Sequence, residues 1–252
     1  MNAEASRVQG KVVLVTGGAK RVGAAICRRL HAAGAIVMLH YRASAGEARL
    51  LQAELNHTRP DSVALIQADL LDLGKLASII EQTVQTFGRL DALVNNASSF
   101  FQTPVGEIQA ADWEDLVGTN VRAPLFLSQA AAPALRASHG AIVNITDIHA
   151  ERPLKNYLVY SVAKAGMIGL TKALAKEVAS RNVSVNALAL GLVATDMSQA
   201  LDEAYRQKLL EQIPMRRFAE TDEIARVACF LLSDEARYIT GQVIQADGGL
   251  AM

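Results

Sequence analysis

Tyr160 and Lys164 stand four residues apart in a stretch patterned as a helix over 157–180, so they share one face. A free phenol titrates near ~10 and is a poor acid–base group at neutral pH. A nearby ammonium favours the phenolate and lowers that value, so Lys164 would activate Tyr160 for proton transfer. Such a pair is also common on plain helix surfaces, and three neighbours decide its meaning. Asp147 follows an apolar run at 141–146, Asn95-Asn96-Ala97 closes another at 90–95, and Asn120 falls inside a long helical pattern at 113–137. A buried amide at Asn120 needs a partner.

A second constellation lies near the start. The run at 11–16 leads into Thr16-Gly17-Gly18-Ala19-Lys20-Arg21-Val22-Gly23, and a helical pattern follows over 20–33. Glycines let the backbone turn sharply and approach a diphosphate, and a helix start offers unpaired N–H groups and a positive dipole end. The spacing is not G-x-G-x-x-G, so the position after a first strand carries the nucleotide-binding reading. At the end of the next strand, Leu39-His40-Tyr41-Arg42-Ala43-Ser44 has no acid to take ribose hydroxyls. Arg42 and Ser44 suit a 2′-phosphate instead, which favours NADPH. The plainer reading of Arg42 is a solvated loop charge.

These residues sit at the ends of alternating elements. Strands are predicted at 11–16, 35–41, 62–67, 90–95, 141–146, 183–190 and 242–246. Helices are predicted at 20–33, 45–57, 72–87, 113–137 and 157–180. The alternation implies one α/β domain over 1–252, a Rossmann-like three-layer sandwich with a parallel seven-stranded sheet. Right-handed crossovers bring every strand's C-terminal end to one edge, where ligands bind. The longest irregular stretch, about 191–217 with a short helix near 201–211, is the candidate substrate loop.

Composition narrows the partners. The 252 residues are 51% hydrophobic with a formal net charge of zero, which gives no support for nucleic-acid or anionic-membrane binding. Residues 1–10 are polar rather than signal-like, and no apolar stretch approaches the ~20 residues of a membrane span, so a cytoplasmic protein is expected. Cys27 and Cys229 form neither a disulfide framework nor a metal motif, and the five histidines lack ligand spacing.

Together, Thr16-Gly17 with Gly23, Asn95-Asn96-Ala97, Asn120 and Tyr160-x-x-x-Lys164 resemble the motif set of the short-chain dehydrogenase/reductases, over nearly the whole chain to Asp247-Gly248-Gly249. Within that family the sequence looks most like the pteridine reductases. Arg21 takes a usual glycine place, Ser98-Ser99-Phe100 extends the fourth-strand motif, and Asp147 stands where most members have a catalytic serine. Leu39-His40-Tyr41 is also similar, whereas Leu190-Gly191 replaces the frequent Pro-Gly.

The resemblance implies a catalytic set of Asp147, Tyr160 and Lys164, with Tyr160 giving a proton to a pterin or dihydrofolate ring nitrogen. It implies an NADPH site made by the turn residues Gly17, Arg21, Val22 and Gly23, then Tyr41, Arg42 and Ser44, then Asp69 and Leu70. Asn96, Ala97, Ser98, Asn120, Tyr160, Lys164 and Gly191 complete that site. Substrate would meet Arg21, Ser98, Phe100, Asp147, Leu154, Tyr157 and Tyr160, and the subunits would form a homotetramer through helices such as 157–180. No metal is expected. The plainer readings are a core role for Phe100 and a helix cap for Asp69. Two other classes stay open: a carbonyl reductase of 3-oxoacyl, sugar or steroid ketones, and a non-catalytic NADP-binding protein.

Overall fold

Apolar runs too short for helices pair side by side and become strands. A computed structural model describes residues 8–199 and 202–252, so part of the polar N-terminal stretch and the start of the 201–211 helix lie outside the described residues. The strands are β1 (Val12–Val15), β2 (Ile36–Tyr41), β3 (Val63–Gln67), β4 (Ala92–Asn95), β5 (Ala141–Asp147), β6 (Ser184–Leu190) and β7 (Val243–Ala246). They form one seven-stranded sheet in the order β3-β2-β1-β4-β5-β6-β7, with every pair parallel. The chain runs outward from β1 to β3, then returns to β4 on the other side. That reversal opens a crevice at the carboxyl ends of β1 and β4, the position where ligands bind in such sheets.

Helices cover both faces. One side holds α1 (Arg21–Ala32), α2 (Ala45–Thr58) and α9 (Thr221–Leu231), whose apolar faces share a core with Val13, Val15, Val37 and Leu39. The other holds α3 (Leu73–Phe87) and α5 (Ala123–Ser138) around Leu14, Met38, Leu93 and Ile142. The interior strand β1 is buried throughout, as a parallel strand covered on both faces must be.

Four expectations change. The helix expected at 113–137 starts earlier, as α4 (Ala110–Val117), and passes through a π-helical turn, Gly118–Arg122, before α5. That turn carries Asn120; such bulges are frequent at functional sites. α9 was not anticipated as an element, although a reciprocal capping box of Glu220 and Glu223 opens it. β5 extends one residue further, so Asp147 is the last residue of the strand rather than beyond it. Finally, the segment Leu158–Arg181 is long and apolar enough, by length and composition, to cross a membrane. Its helical part α6 (Leu158–Val178) packs on β5 and β6 and buries Tyr160, Ala163, Lys164, Met167 and Thr171. Two short helices, α7 (Asp196–Gln199) and α8 (Glu203–Gln212), occupy the loop after β6.

Candidate active site

The glycine turn is shaped by its neighbours as much as by any ligand. Thr16 Oγ1 donates to the Val94 carbonyl (3.2 Å) and accepts from the N–H groups of Asn96 (2.9 Å) and Ala97 (3.0 Å). The Asn96 amide donates back to the carbonyls of Thr16 (2.9 Å) and Gly17 (3.1 Å). A Cβ on Gly23 would meet the Gly17 carbonyl oxygen at 2.2 Å, so α1 can start this close only with glycine there. Arg21 adopts φ +51°, a left-handed conformation that costs a non-glycine residue roughly 1–2 kcal/mol. Its guanidinium is paired bidentately with Asp196 of α7 (2.5 and 2.8 Å), across the mouth of the crevice.

His40 locks the turn from β2. Its Nε2 lies 3.1 Å from the Ala68 carbonyl, which only accepts, so Nε2 carries the hydrogen. Nδ1 is then free to accept from the Gly17 N–H at 3.2 Å. The ring is neutral in this arrangement, and burial pushes its pKa down to about 4.

A cavity of about 460 Å³ opens above these residues. Gly17, Arg21, Val22, Gly23, Tyr41, Arg42, Ser44, Asp69, Leu70, Asn96, Ala97, Ser98, Tyr160 and Lys164 all line it, and so does Asp147. Lys20, next to Arg21, also faces it and pairs with Glu47 at 2.6 Å. Asn120 and Gly191 are not on its wall. The Asn120 side chain turns inward, accepting from Ser98 Oγ (2.6 Å) and donating to the carbonyls of Ser99 (3.0 Å) and Leu116 (2.8 Å). Gly191 packs against Asp247, whose Cα lies 2.7 Å from where a Cβ would stand. Phe100, Leu154 and Tyr157 also lie off the cavity wall. Phe100 stacks on Tyr157 (centroids 4.5 Å apart, planes 13°) and meets the Tyr160 ring edge-on (4.7 Å, 77°). Asp69 accepts from the Leu71 N–H (3.0 Å), while Asp72 caps α3.

The catalytic candidates come together tightly. Tyr160 Oη donates to Asp147 Oδ2 at 2.8 Å. Lys164 Nζ donates to the Ile145 carbonyl at 3.2 Å and lies 5.5 Å from the Tyr160 ring centre. Burial first, and the Asp147 carboxylate second, hold the phenol well above its ordinary pKa. The expected lowering by Lys164 is therefore not the balance struck here. Lys164 is itself buried, which drives its ammonium down to about 8, and its Nζ is turned to the Ile145 carbonyl rather than to the phenol oxygen. The outcome is a neutral phenol holding its proton, a donor rather than a base. Behind it, Asn95 donates to Asn144 (2.8 Å), Asn144 to Thr171 of α6 (2.9 Å), and Thr146 to the Lys164 carbonyl (3.2 Å). This buried chain fixes α6 against β4 and β5.

Sequence reading placed Thr16 and His40 only inside motifs, and it gave Asn144, His149 and Asp196 no role in this site. Thr16 and Asn144 had a signal, because each is a polar residue inside an apolar run. Asp196 had none, since its partner is 175 residues away. Among the described residues no cluster of three or more His, Cys, Asp or Glu side chains could hold a metal.

Comparison with known proteins follows the same lines. The sequence matches the family described as enoyl-(acyl carrier protein) reductase over residues 4–251. It is 37% identical over 243 residues to the 3-oxoacyl-[acyl-carrier-protein] reductase FabG of Staphylococcus aureus, covering 96% of this chain and 98% of that one. It is 36% identical over 282 residues to pteridine reductase 1 of Leishmania tarentolae, covering 96% of each. Among solved structures, a short-chain dehydrogenase/reductase from Serratia marcescens superposes with a TM-score of 0.93 at 34% identity, over 98% of this chain and 100% of that one. A blue fluorescent protein from a metagenomic library, in complex with NADPH, superposes at 0.92 and 34% identity over the same shares.

Proposed function

Because this chain belongs to the short-chain dehydrogenase/reductase family, we propose that its NADPH-dependent oxidoreductase activity reduces C=N bonds of pterins, of the dihydrobiopterin or dihydromonapterin type, and of dihydrofolate. One observation carries the substrate reading: the Tyr160 phenol donates to a carboxylate, Asp147. A ketone reductase must stabilise an oxyanion, which a carboxylate beside the acid would repel. A C=N bond instead takes hydride at carbon and a proton at nitrogen, and no alkoxide develops.

The residues present fit the cofactor. The turn has no side chain at Gly17 or Gly23 to block a diphosphate, and Arg42 and Ser44 face the cavity where no carboxylate follows β2. NADPH supplies the hydride when bound. Lys164, on the cavity wall, would hold the nicotinamide ribose; Tyr160 would give the proton; Asp147 would keep that proton on the phenol until substrate nitrogen takes it. By the family likeness Phe100, partly exposed beside Tyr157 and Tyr160, would stack on a flat pterin ring.

A second reading is favoured by the relatives: similarity to FabG proteins of staphylococci and of Thermotoga maritima supports a 3-oxoacyl or other ketone substrate. The deciding experiment follows NADPH oxidation at about 340 nm, the reduced-nicotinamide absorption band, with 7,8-dihydropterins, dihydrofolate and an acetoacetyl thioester. The pterin reading expects turnover of the first two, lost in Asp147→Ser. Turnover of the thioester alone overturns it. The homotetramer is proposed on the family likeness, supported by exposed Leu125, Phe126, Leu158 and Val162 on α5 and α6, and sedimentation tests it.

A further inference from the structure

Each turnover takes a proton from Tyr160, a buried residue that must be reprotonated from solvent. The Asp147 carboxylate has two oxygens with different neighbours. Oδ2 accepts from Tyr160 at 2.8 Å. Oδ1 accepts from the backbone N–H of His149 at 2.9 Å and faces the His149 ring Nε2 at 4.0 Å. That second distance exceeds a direct hydrogen bond and suits one bridging water. His149 Nδ1 lies 2.9 Å from the Arg152 carbonyl, an acceptor only, so Nδ1 carries the hydrogen of the neutral ring and Nε2 is left open toward Asp147.

The local fold holds this geometry. Asp147 caps the short turn Ile148–Ala150, and the Arg152 guanidinium donates to the carbonyls of Leu250 (2.7 Å) and Met252. The charged and titratable groups around the pair are few. Glu151 and Arg152 share the turn, with Glu151 accepting from Gln245 (3.2 Å); Tyr160 and Lys164 face Asp147 from α6. The Asp147 and His149 side chains are 22% and 21% exposed, whereas Lys164 is 3% exposed and tied to Ile145. His149 thus places a partly exposed, proton-carrying ring beside Oδ1, the Asp147 oxygen that does not bond Tyr160.

We propose that His149 is a positioning residue that returns the proton to Tyr160 through Asp147. The inference rests on Tyr160 being the donor in the proposed reduction. In that step the substrate carbon gains a hydride from NADPH and its nitrogen gains the Tyr160 proton. The phenolate left behind takes a proton by way of Asp147; the neutral imidazole takes a solvent proton at Nε2 and passes it to Asp147, which leaves the ring neutral with its Nδ1–H in place. One hydride and one proton are added in total, and NADPH is the only reductant.

His149→Gln tests this, because a glutamine amide can still reach the Arg152 carbonyl but cannot carry a proton. We expect kcat to fall about tenfold, at the low end of general acid–base contributions, with KM for NADPH unchanged. The dependence of kcat on pH should flatten, and added imidazole should restore part of the rate in His149→Ala. In the cofactor-free protein, 15N spectra should show the neutral His149 ring protonated on Nδ1. Wild-type kcat and pH profile in His149→Gln, a loss that imidazole does not restore, or protonation on Nε2 would overturn the inference. Failure of the wild type to reduce any dihydropterin or dihydrofolate overturns the substrate reading instead. The His149 comparison is then run on the thioester, whose oxygen also takes the Tyr160 proton.

Discussion

The two walls of the crevice are built differently. The wall formed by the glycine turn, β4 and His40 is buried and interlocked: Thr16, Asn96 and His40 each satisfy two or more backbone groups across separate strands. The opposite side, where Thr195 faces the cavity beside α7 and α8, is joined by exposed ion pairs, Arg21 to Asp196 and Arg217 to Glu223, and α8 buries none of its residues. Buried hydrogen bonds resist opening because each broken one leaves a desolvated group, whereas exposed pairs exchange with water at little cost. The difference teaches a division of labour. A platform for the part of the ligand that every turnover shares is pre-formed. In the proposed reading, the loop that would meet the substrate side chain is held by weaker, exposed contacts and is left adjustable.

The sharpest way to break this comparison is Gly23→Ala. Its Cβ would stand 2.2 Å from the Gly17 carbonyl and 2.6 Å from the Asn96 amide, both already committed. Something must shift, and overpacking of this kind costs about 1–3 kcal/mol. We expect NADPH affinity, followed by fluorescence titration, to fall more than tenfold and the thermal midpoint to drop by several degrees. Near wild-type binding would mean that the platform is as pliable as the loop.

A middle-sized effect comes from acid. His40 is neutral in the folded protein with its pKa near 4, against 6.5 in an ordinary environment. Below pH ~6.5 the unfolded chain takes up a proton here that the native state refuses, so stability is present above that value and is lost as pH falls toward about 4. The loss is on the order of 3 kcal/mol in total. Protonation at Nδ1 would also eject the Gly17 N–H, so NADPH binding should weaken over the same window. Denaturant titrations at pH 7, 5.5 and 4.5 check it. If His40→Asn keeps the wild-type slope with pH, the loss belongs to another group.

The same contrast governs what the sequence made legible. Strands β1 to β7 and helices α1, α2, α3 and α6 were readable because burial on both faces writes continuous apolar runs and helical periodicity into neighbouring residues. The glycine turn and the Asp147, Tyr160, Lys164 set were readable because they sit at element ends. The π-helical turn at Gly118–Arg122 was not, since one inserted residue leaves the hydrophobic pattern almost unchanged. Phe100 and Tyr157 were legible only through the family resemblance, and their mutual stacking was not, because contact between distant segments leaves no local mark. Nor could spacing reveal that burial first and Asp147 second, rather than Lys164, shift the Tyr160 proton affinity, because that depends on the packing around the phenol and on a 2.8 Å contact.

The smallest expected effect is at the pair that ties the two walls together. Arg21 and Asp196 are 45% and 65% exposed in their side chains, so their bond contributes no more than about 1 kcal/mol to stability. Asp196→Asn should therefore leave the thermal midpoint within about 2 °C of wild type. It should nevertheless release Arg21 to face the anionic cofactor, raising NADPH affinity up to about fivefold at low salt. That gain should vanish near 1 M salt, where screening acts within ~3 Å. Fluorescence titrations at two ionic strengths read the difference directly. A fall in stability as large as that of Gly23→Ala would mean that the pair locks the loop as firmly as the buried network locks the turn, and the two walls would then be one rigid body.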